Sequence, residues 1–552
     1  MIPKFISRVG LYWNTVRYLK PVQIYGRLWF RLARPRPDTS PAPALRKPLG
    51  DWVPCATRQQ SLFANNNFLF LNQSGSLDKL GWDDPGTEKL WRYNQHYFDD
   101  LNAENSNERS SLHRALLIHW VEHNLPGQGT GWEPYPTSLR IVNWLKWTFA
   151  GHQLPDICVQ SLAVQVRWLT KRLEIHLQGN HYFSNAKALV FAGLAFEGNE
   201  ADKWLKKGLR IIERQLPEQV LSDGGNFERS PMYHSIFLED MLDLINVAKL
   251  WPERIDHQII KDWERVATSM VEWLRGMTHP DGQIALFNDA AFGVTPPPGN
   301  LVSYTQRLGL NIFEEVSRES LSLKVQHWSE SGYVRVETVN ATAFLDVAPI
   351  GPDYLPSHAN ADTLSFELSV FGQRVIVNGG TSRYGNGPER LRERQTAAHS
   401  TSEIDGISSS EVWGGFRVAR RAYPFDFSIH KSVGAVDVVC AHDGYKRLSG
   451  KPVHRRTWNL TEKSMKITDS IEGDFHSAVS RYIFHSDVKV EKLNKFSYRA
   501  ILKTGEKIEL HVREGESQVL NRHHASEFGQ LRDTQCLQVL LQNGKAVVQL
   551  SW

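Results

Sequence analysis

The spacing of apolar residues changes once along this chain, and that change limits the folds open to it. From about residue 85 to about 290, apolar residues recur at i, i+3, i+4 and i+7 in segments such as SLHRALLIHWVEHN, SLRIVNWLKWTFAG and MYHSIFLEDMLDLINVAKL. Each segment stops at a Gly, a Pro or a polar cluster, the pattern of amphipathic helices. GVTPPPGN at 293–300 breaks that pattern, and from about 328 the period is two, as in SGYVRVETVN, LSFELSV, KIELHVREG and KAVVQLSW. A run of helices followed by a run of strands predicts two domains, not one alternating α/β sheet. Successive helices with short loops predict a helical array or ring, and the lack of an exact repeat argues against a solenoid. The β half is long enough for a two-sheet antiparallel sandwich. The chain divides into an N-terminal extension and Pro-rich linker (1–84), a helical domain (85–325) and a β domain (326–552). A ligand cleft is expected where the two domains meet.

Composition excludes several classes of function. A net charge of +4 gives no global nucleic-acid footprint. Four widely spaced cysteines, with no CxxC pair, make neither a zinc ribbon nor a disulfide framework, and buried thiols are expected. The 18 Trp and 16 Tyr, beside Arg-rich loops, fit a binder of acidic carbohydrate, although most of them must be core. The basic, aromatic N-terminus has no signal-peptide h-region, because Arg8, Asn14, Arg17 and Lys20 interrupt it. That absence points to the cytoplasm, whereas an extracellular glycan as substrate points to the periplasm or cell envelope. No apolar run is long enough to span a bilayer. Tyr18, Leu19, Ile24, Leu28 and Leu32 can line one side of amphipathic helices. Docking of these helices on the main domain is the default, with peripheral membrane contact as the sharper alternative. Residues 36–50 read as a linker or an extended wrap.

Polar residues concentrate in a few places. The stretch from His358 to His399 predicts a strand pair turning near Phe371-Gly372-Gln373, with His358, Asp362, Arg383, Tyr384, Arg390, Arg394 and His399 around it. A solvated sheet edge is the plain alternative. In the helical half, WRYNQHYFDD carries Asn94 and His96, and GWEPYPTSLRIVNW carries Trp132 and Tyr135, with Thr137 or Ser138 as a helix cap and the aromatics as packing alternatives. QGNHYFSNAKAL puts Asn180 and His181 at a helix entry, where free N–H groups favour an anion. DGGNFERSPMYHSIFLED supplies Glu228, Arg229, Tyr233 and His234 on a loop leading into a helix, and GQIALFNDAAFG adds Asn288 and Asp289.

In order and spacing these clusters resemble the heparinase II/III-like polysaccharide lyases, with related alginate lyases, over about residues 85–450. The flavour of LWRYNQHYF, ERSPMYH and SSEVWGGFRVARR is similar to members associated with bacterial exopolysaccharide and capsule clusters. The resemblance implies an incomplete (α/α) toroid followed by an antiparallel β-sandwich, and cleavage of a uronate glycan by β-elimination. It implies that Asn180 and His181 hold the substrate carboxylate, and that Tyr233 and Tyr384 serve as base and acid in an order left open. His358 assists as base or neutraliser. Arg383, and more loosely Arg390 and Arg394, would bind substrate carboxylates, with Glu228, Arg229, Trp132, Tyr135, Asn94 and His96 as further contacts. A tyrosine base at neutral pH needs neighbouring cations to depress its pKa from about 10.

Relatives commonly hold a structural zinc where this chain has Asn360, Asn378 and His399. Amide oxygens are poor zinc ligands. The site is therefore expected to be degraded and without metal, its three residues bonded to one another or to water. Two other functions compete with the lyase. One is a glycoside hydrolase pairing Glu228 with Asp223 or Asp289; the other is a non-catalytic glycan-binding factor in polysaccharide assembly or export. Sugar identity, endo or exo action and oligomeric state stay open.

Overall fold

A computed structural model of the protein describes residues 4–311 and 323–552. The chain opens with two helices, α1 (Lys4–Val16) and α2 (Pro21–Leu32), the second started by a proline whose missing N–H costs nothing at that position. The Pro-rich stretch after them is a wrap. It lies extended along the helical domain, with Arg46 N bonded to Ala195 O and Leu49 N to Leu250 O at 3.0 Å. A small three-stranded sheet (Leu62–Phe63, Asn67–Phe70, Gln73–Ser76) precedes the main helical domain.

That domain is an incomplete toroid built from α3 (Lys89–Tyr97), α4 (Ser110–His123), α5 (Pro134–Phe149), α6 (Asp156–Lys171), α7 (Gly179–Ala195), α8 (Gly198–Gln219), α9 (Pro231–Leu250), α10 (His257–Gly276) and α11 (Pro298–Arg307). Most of its tryptophans are core, including Trp120, Trp144 and Trp251. Glycines let α7 and α8 pack closely. A Cβ on Gly193 would lie 2.4 Å from Leu205 N, and one on Gly208 2.9 Å from Ala186 O. Thr137 and Ser138 lie inside α5 and do not cap it; Ser138 Oγ bonds back to Pro134 O.

The β half is a sandwich of three antiparallel sheets of eight, five and four strands around one core that includes Phe366, Trp458, Ile467, Tyr482 and Leu537. The expected hairpin is there: Phe366–Val370 pairs with Gln373–Ile376 across a turn in which Phe371 and Gly372 have φ of 51° and 77°. Two successive positive φ angles match the right-handed twist of the flanking strands. Thr363, Leu364 and Ser365 precede the strand. Cys158, Cys440 and Cys536 are buried free thiols, whereas Cys55 is only half-buried.

Polar contacts fix the two halves together. The buried His279 of the helical half bonds Glu367 Oε2 (2.8 Å) and Ser369 Oγ (2.7 Å) of the sandwich, and Arg374 returns to Asp281 at 2.7 Å. Asp223 accepts from the backbone N–H groups of Glu330 and Ser331. Such pairs are costly to break singly, because each would leave a buried charge alone.

Candidate active site

A cleft of about 1290 Å³ opens between toroid and sandwich. Where the two halves meet, Tyr233 Oη and Tyr384 Oη are hydrogen-bonded at 2.9 Å. Tyr233 is placed by the first turn of α9. Ser230 caps that helix by accepting from Tyr233 N at 3.2 Å, and its hydroxyl donates to Asp289 O at 2.6 Å. The Tyr233 ring stacks on the His358 imidazole with centroids 3.7 Å apart. His358 Nδ1 meets Asp289 Oδ2 at 3.0 Å, and its Nε2 lies 3.8 Å from Glu228 Oε2. Asp289 is fully buried and also takes both terminal nitrogens of Arg390.

The electrostatics follow from that wiring. Burial pushes both phenols well above their usual value, and the carboxylates of Asp289 and Glu228 add to it. Arg390, 5.0 Å from the Tyr384 ring, pulls that phenol down, but burial outweighs it. Asp289 would be raised by burial, but Arg390 and His358 hold it below the usual carboxylate range. Glu228 is raised, chiefly by burial, which makes it a carboxyl ready to be protonated.

On the toroid side, α7 begins at Gly179, so Asn180 and His181, which line the cleft, have first-turn N–H groups without partners in the helix. Gln178 and Gly179 enter it through positive φ angles of 61° and 55°, and a Cβ on Gly179 would press on Leu355 at 2.6 Å. His181 stacks on Tyr135 at 4.2 Å and bonds Glu174 at 3.2 Å. Burial works against its cationic form, yet the Glu174 carboxylate wins and raises its pKa. A helix N-terminus, an amide and an imidazole biased toward its cation make an anion site.

Of the residues singled out from sequence, Asn94, Tyr135, Asn180, His181, Glu228, Tyr233, His358, Arg383 and Tyr384 line this cleft. Five do not. His96 is fully buried, accepts from Trp120 Nε1 at 3.0 Å, and has its pKa pushed down to about 3 by burial. Trp132 is core and donates to Asn124 O. Arg229 reaches the other way, to the carbonyls of Ser331 and Glu330, where it joins the domains. Arg390 is sealed behind Asp289, and Arg394 is buried against the carbonyls of Ala359, Gly414 and Arg417. An Arg-rich run reads as basic surface, but here its alternate members satisfy inward carbonyls and a carboxylate.

A heparinase II/III N-terminal model matches residues 152–295, and a heparinase II/III-like C-terminal model matches residues 322–547. The chain belongs to the heparinase II/III-like family. A heparin-sulfate lyase of Bacteroides stercoris is 24% identical over 241 residues, 41% of this chain and 36% of that protein. The FtsZ-localized protein C of Caulobacter vibrioides is 25% identical over 326 residues, 57% of this chain and 52% of that protein. The chain thus spans roughly a third to a half of the length of the curated relatives it matches. The fold is shared with the crystal structure of heparinase III (TM-score 0.65, 16% identity, 84% of this chain and 76% of that one). It is shared too with a heparan sulfate lyase of Pedobacter heparinus (TM-score 0.56, 15% identity, 96% of this chain and 87% of that one).

Asn360, Asn378 and His399, where the resemblance implies a structural zinc, are engaged as follows. His399 Nδ1 faces Asn378 Oδ1 at 3.2 Å, and burial lowers the His399 pKa. Asn378 Nδ2 is engaged by Ser365 Oγ at 3.1 Å. Asn360 stands apart from the expected trio. Its N–H bonds Asn288 Oδ1, while its own Oδ1 has no partner among the described residues. Two amides and one imidazole are a poor donor set for zinc, and the buried Asp362 beside them accepts from Asn288 N at 3.0 Å and faces Asn378 Nδ2 at 3.5 Å.

Sequence reading missed a layer of buried charge along the cleft floor. Lys146 and Lys187 share Asp243, at 3.0 and 2.7 Å, and Lys187 also takes Asp240 at 2.7 Å, while Arg58 pairs with Glu239. The signal was present: Glu239, Asp240 and Asp243 interrupt a helix that is apolar on every side, where a charge must be paired. The N-terminal helices were also missed as a cleft wall, to which Tyr12, Val16, Leu19 and Arg27 contribute.

Proposed function

We propose that this protein is a polysaccharide lyase that cleaves a uronate-containing, bacterial exo- or capsular polysaccharide by β-elimination. The observation that carries this reading is the bonded pair Tyr233–Tyr384, stacked on His358 and sharing one cleft with the anion site at Asn180 and His181. In the reaction the substrate carboxylate binds at Asn180 and His181, which stabilise the enolate-like charge as it develops. The C5–H bond breaks, its electron pair becomes the C4=C5 double bond, and the C4–O4 bond breaks as O4 takes a proton.

Both tyrosines are protonated in the free cleft, so either can donate to O4. His358, held by Asp289 on one nitrogen, is the resident group that can accept the C5 proton directly or through Tyr233. The 2.9 Å bond between the hydroxyls gives a path for returning a proton from one phenol to the other after turnover. Arg383 stands at the cleft, paired with Glu88, and would turn to a substrate carboxylate.

The cleft keeps part of its positive charge free for an acidic polymer. Arg58, Lys146, Lys187, Arg383 and Arg421 line it and are each paired with a carboxylate, whereas Arg27 and Arg417 line it with no ion pair among the described residues. The carboxylate partners named for a hydrolase do not serve. Asp223 is bound to backbone N–H groups of the sandwich, and Asp289 is sealed and shared by Arg390 and His358. We also propose that the protein works without the family's structural zinc.

The test is the ultraviolet absorbance of the conjugated C4=C5 uronate, followed on a panel of uronate polysaccharides that includes the host's own. A rise abolished in Tyr384→Phe or Tyr233→Phe supports the lyase. Binding of the host's uronate polymer without any rise moves the reading to a non-catalytic glycan-binding factor.

A further inference from the structure

The two N-terminal helices sit on the protein the wrong way round for burying an apolar face. Val9, Tyr12, Trp13 and Val16 follow i, i+3, i+4, i+7 spacing on α1, and Ile24, Tyr25, Leu28, Trp29 and Leu32 form a matching stripe on α2. All nine are exposed, Tyr12 and Val16 at the edge of the cleft with Tyr12 edge-on to Trp413 at 4.9 Å; Trp13, Leu28, Trp29 and Leu32 are 60 to 70% exposed. What the helices bury fully is polar or small, and the half-buried Phe30 packs on His176 and Arg172. Asn14, Gln23 and Gly26 face inward, with Gln23 Nε2 donating to Tyr354 O at 3.0 Å and Gly26 against His176.

The docking is specific. Trp413 Nε1 donates to Thr15 Oγ1 at 3.0 Å, Lys20 pairs with Glu218, and Arg172 reaches the carbonyls of Phe30 and Ala33. The outward stripe is thus held in place by contacts on the other face. Exposed aromatic and aliphatic stripes on two consecutive helices mark a surface that something covers.

The charge around it says what. The first 37 residues hold eight Lys and Arg and no Asp or Glu, while the remainder holds 56 basic against 60 acidic residues. Arg8, Arg17, Arg27, Arg31, Arg34 and Arg36 are exposed, and of the seven basic side chains described there only Lys20 is in an ion pair. Trp and Tyr on the apolar face and arginines at its margins, without any acid, match the head-group region of a negatively charged bilayer. An apolar protein partner would not require the exclusion of acids.

We propose that α1 and α2 form a docking surface for an anionic phospholipid bilayer. The helices lie flat, with Trp13, Leu28, Trp29 and Leu32 entering the acyl boundary and the arginines meeting the phosphates. No described helix is long and apolar enough to cross a membrane, so the contact is peripheral. Because Tyr12, Val16 and Arg27 of the same helices also wall the cleft, docking sets one side of the cleft against the membrane surface.

The full chain would be sedimented with vesicles of phosphatidylglycerol and phosphatidylcholine, and with vesicles of phosphatidylcholine alone, at low and high salt. The bound fraction is expected to be about tenfold or more higher on the anionic vesicles and to fall with salt. It should be lost in the triple variant Trp13→Ser, Trp29→Ser, Leu32→Ser, and reduced in Arg31→Gln, Arg34→Gln. Hydrogen exchange on the unmodified protein should show protection of residues 8–32 only when anionic vesicles are present, a readout that needs no variant to fold. Equal binding to both vesicle types, or none, overturns the proposal. So does a wild-type dimer that the triple variant makes monomeric without any vesicle binding, since the stripe is then a self-association face.

Discussion

Tyr233 and Tyr384 are 151 residues apart in sequence, one from the toroid and one from the sandwich, and their hydroxyl oxygens are 2.9 Å apart. Neither domain alone contains the pair. Turnover should therefore depend on both tyrosines and on the interface that brings them together.

Tyr233→Phe and Tyr384→Phe remove one hydroxyl each and keep the ring packed. Each is expected to lower kcat by about 10²–10⁴-fold, the usual scale of acid–base contributions, with a much smaller change in KM. Steady-state rates of product absorbance give the answer. If either variant kept more than about a tenth of wild-type turnover, that tyrosine would lose its role in proton transfer.

Asp289 is the buried anchor of the site. Asp289→Ala leaves Arg390 charged and alone at zero exposure, and should cost about 3–5 kcal/mol of stability by denaturant unfolding. In the native protein the Asp289 pKa is depressed by Arg390 and His358 against the effect of burial. Its contribution is therefore complete above the ordinary aspartate value of 3.8 and is lost as pH falls toward the lower folded value. Acid unfolding of Asp289→Ala should accordingly be less steep than that of wild type below the ordinary aspartate value of 3.8.

His181 carries the opposite sign. Glu174 raises its pKa, so the cationic form that binds a carboxylate persists to higher pH than an ordinary histidine allows, and is lost as pH rises through the folded value. Glu174→Gln should move the alkaline limb of kcat/KM to lower pH. Both tyrosines titrate well above 10 and contribute no limb below it in the free enzyme. An unmoved limb would assign the titration to another group.

Purified protein is expected to contain no stoichiometric zinc, and a chelator should leave its melting temperature unchanged. The double change Asn360→His, Asn378→Asp gives the site a second imidazole and an anionic ligand beside His399, and should create zinc affinity measurable by elemental analysis. Zinc bound by the unmodified chain at this position would overturn the reading from its donor set.

The sequence by itself determined the order of the architecture, because apolar period is a local property: 3.6 sends one face of a helix inward and 2 sends one face of a strand inward. It also located the helix entry at Asn180-His181 and the turn at Phe371-Gly372, where backbone chemistry is read residue by residue. Tertiary structure alone decided which polar residues reach the cleft. Arg383 does, while Arg390 and Arg394, a few residues on, are buried against Asp289 and against backbone carbonyls. His96 and Trp132 have the composition of a sugar site and lie in the core. The outward stripe of α1 and α2 makes the same point in reverse. Periodicity shows that a helix has an apolar face, but the direction of that face depends on partners hundreds of residues away, Glu218, Tyr354 and Trp413, whose positions no local pattern encodes.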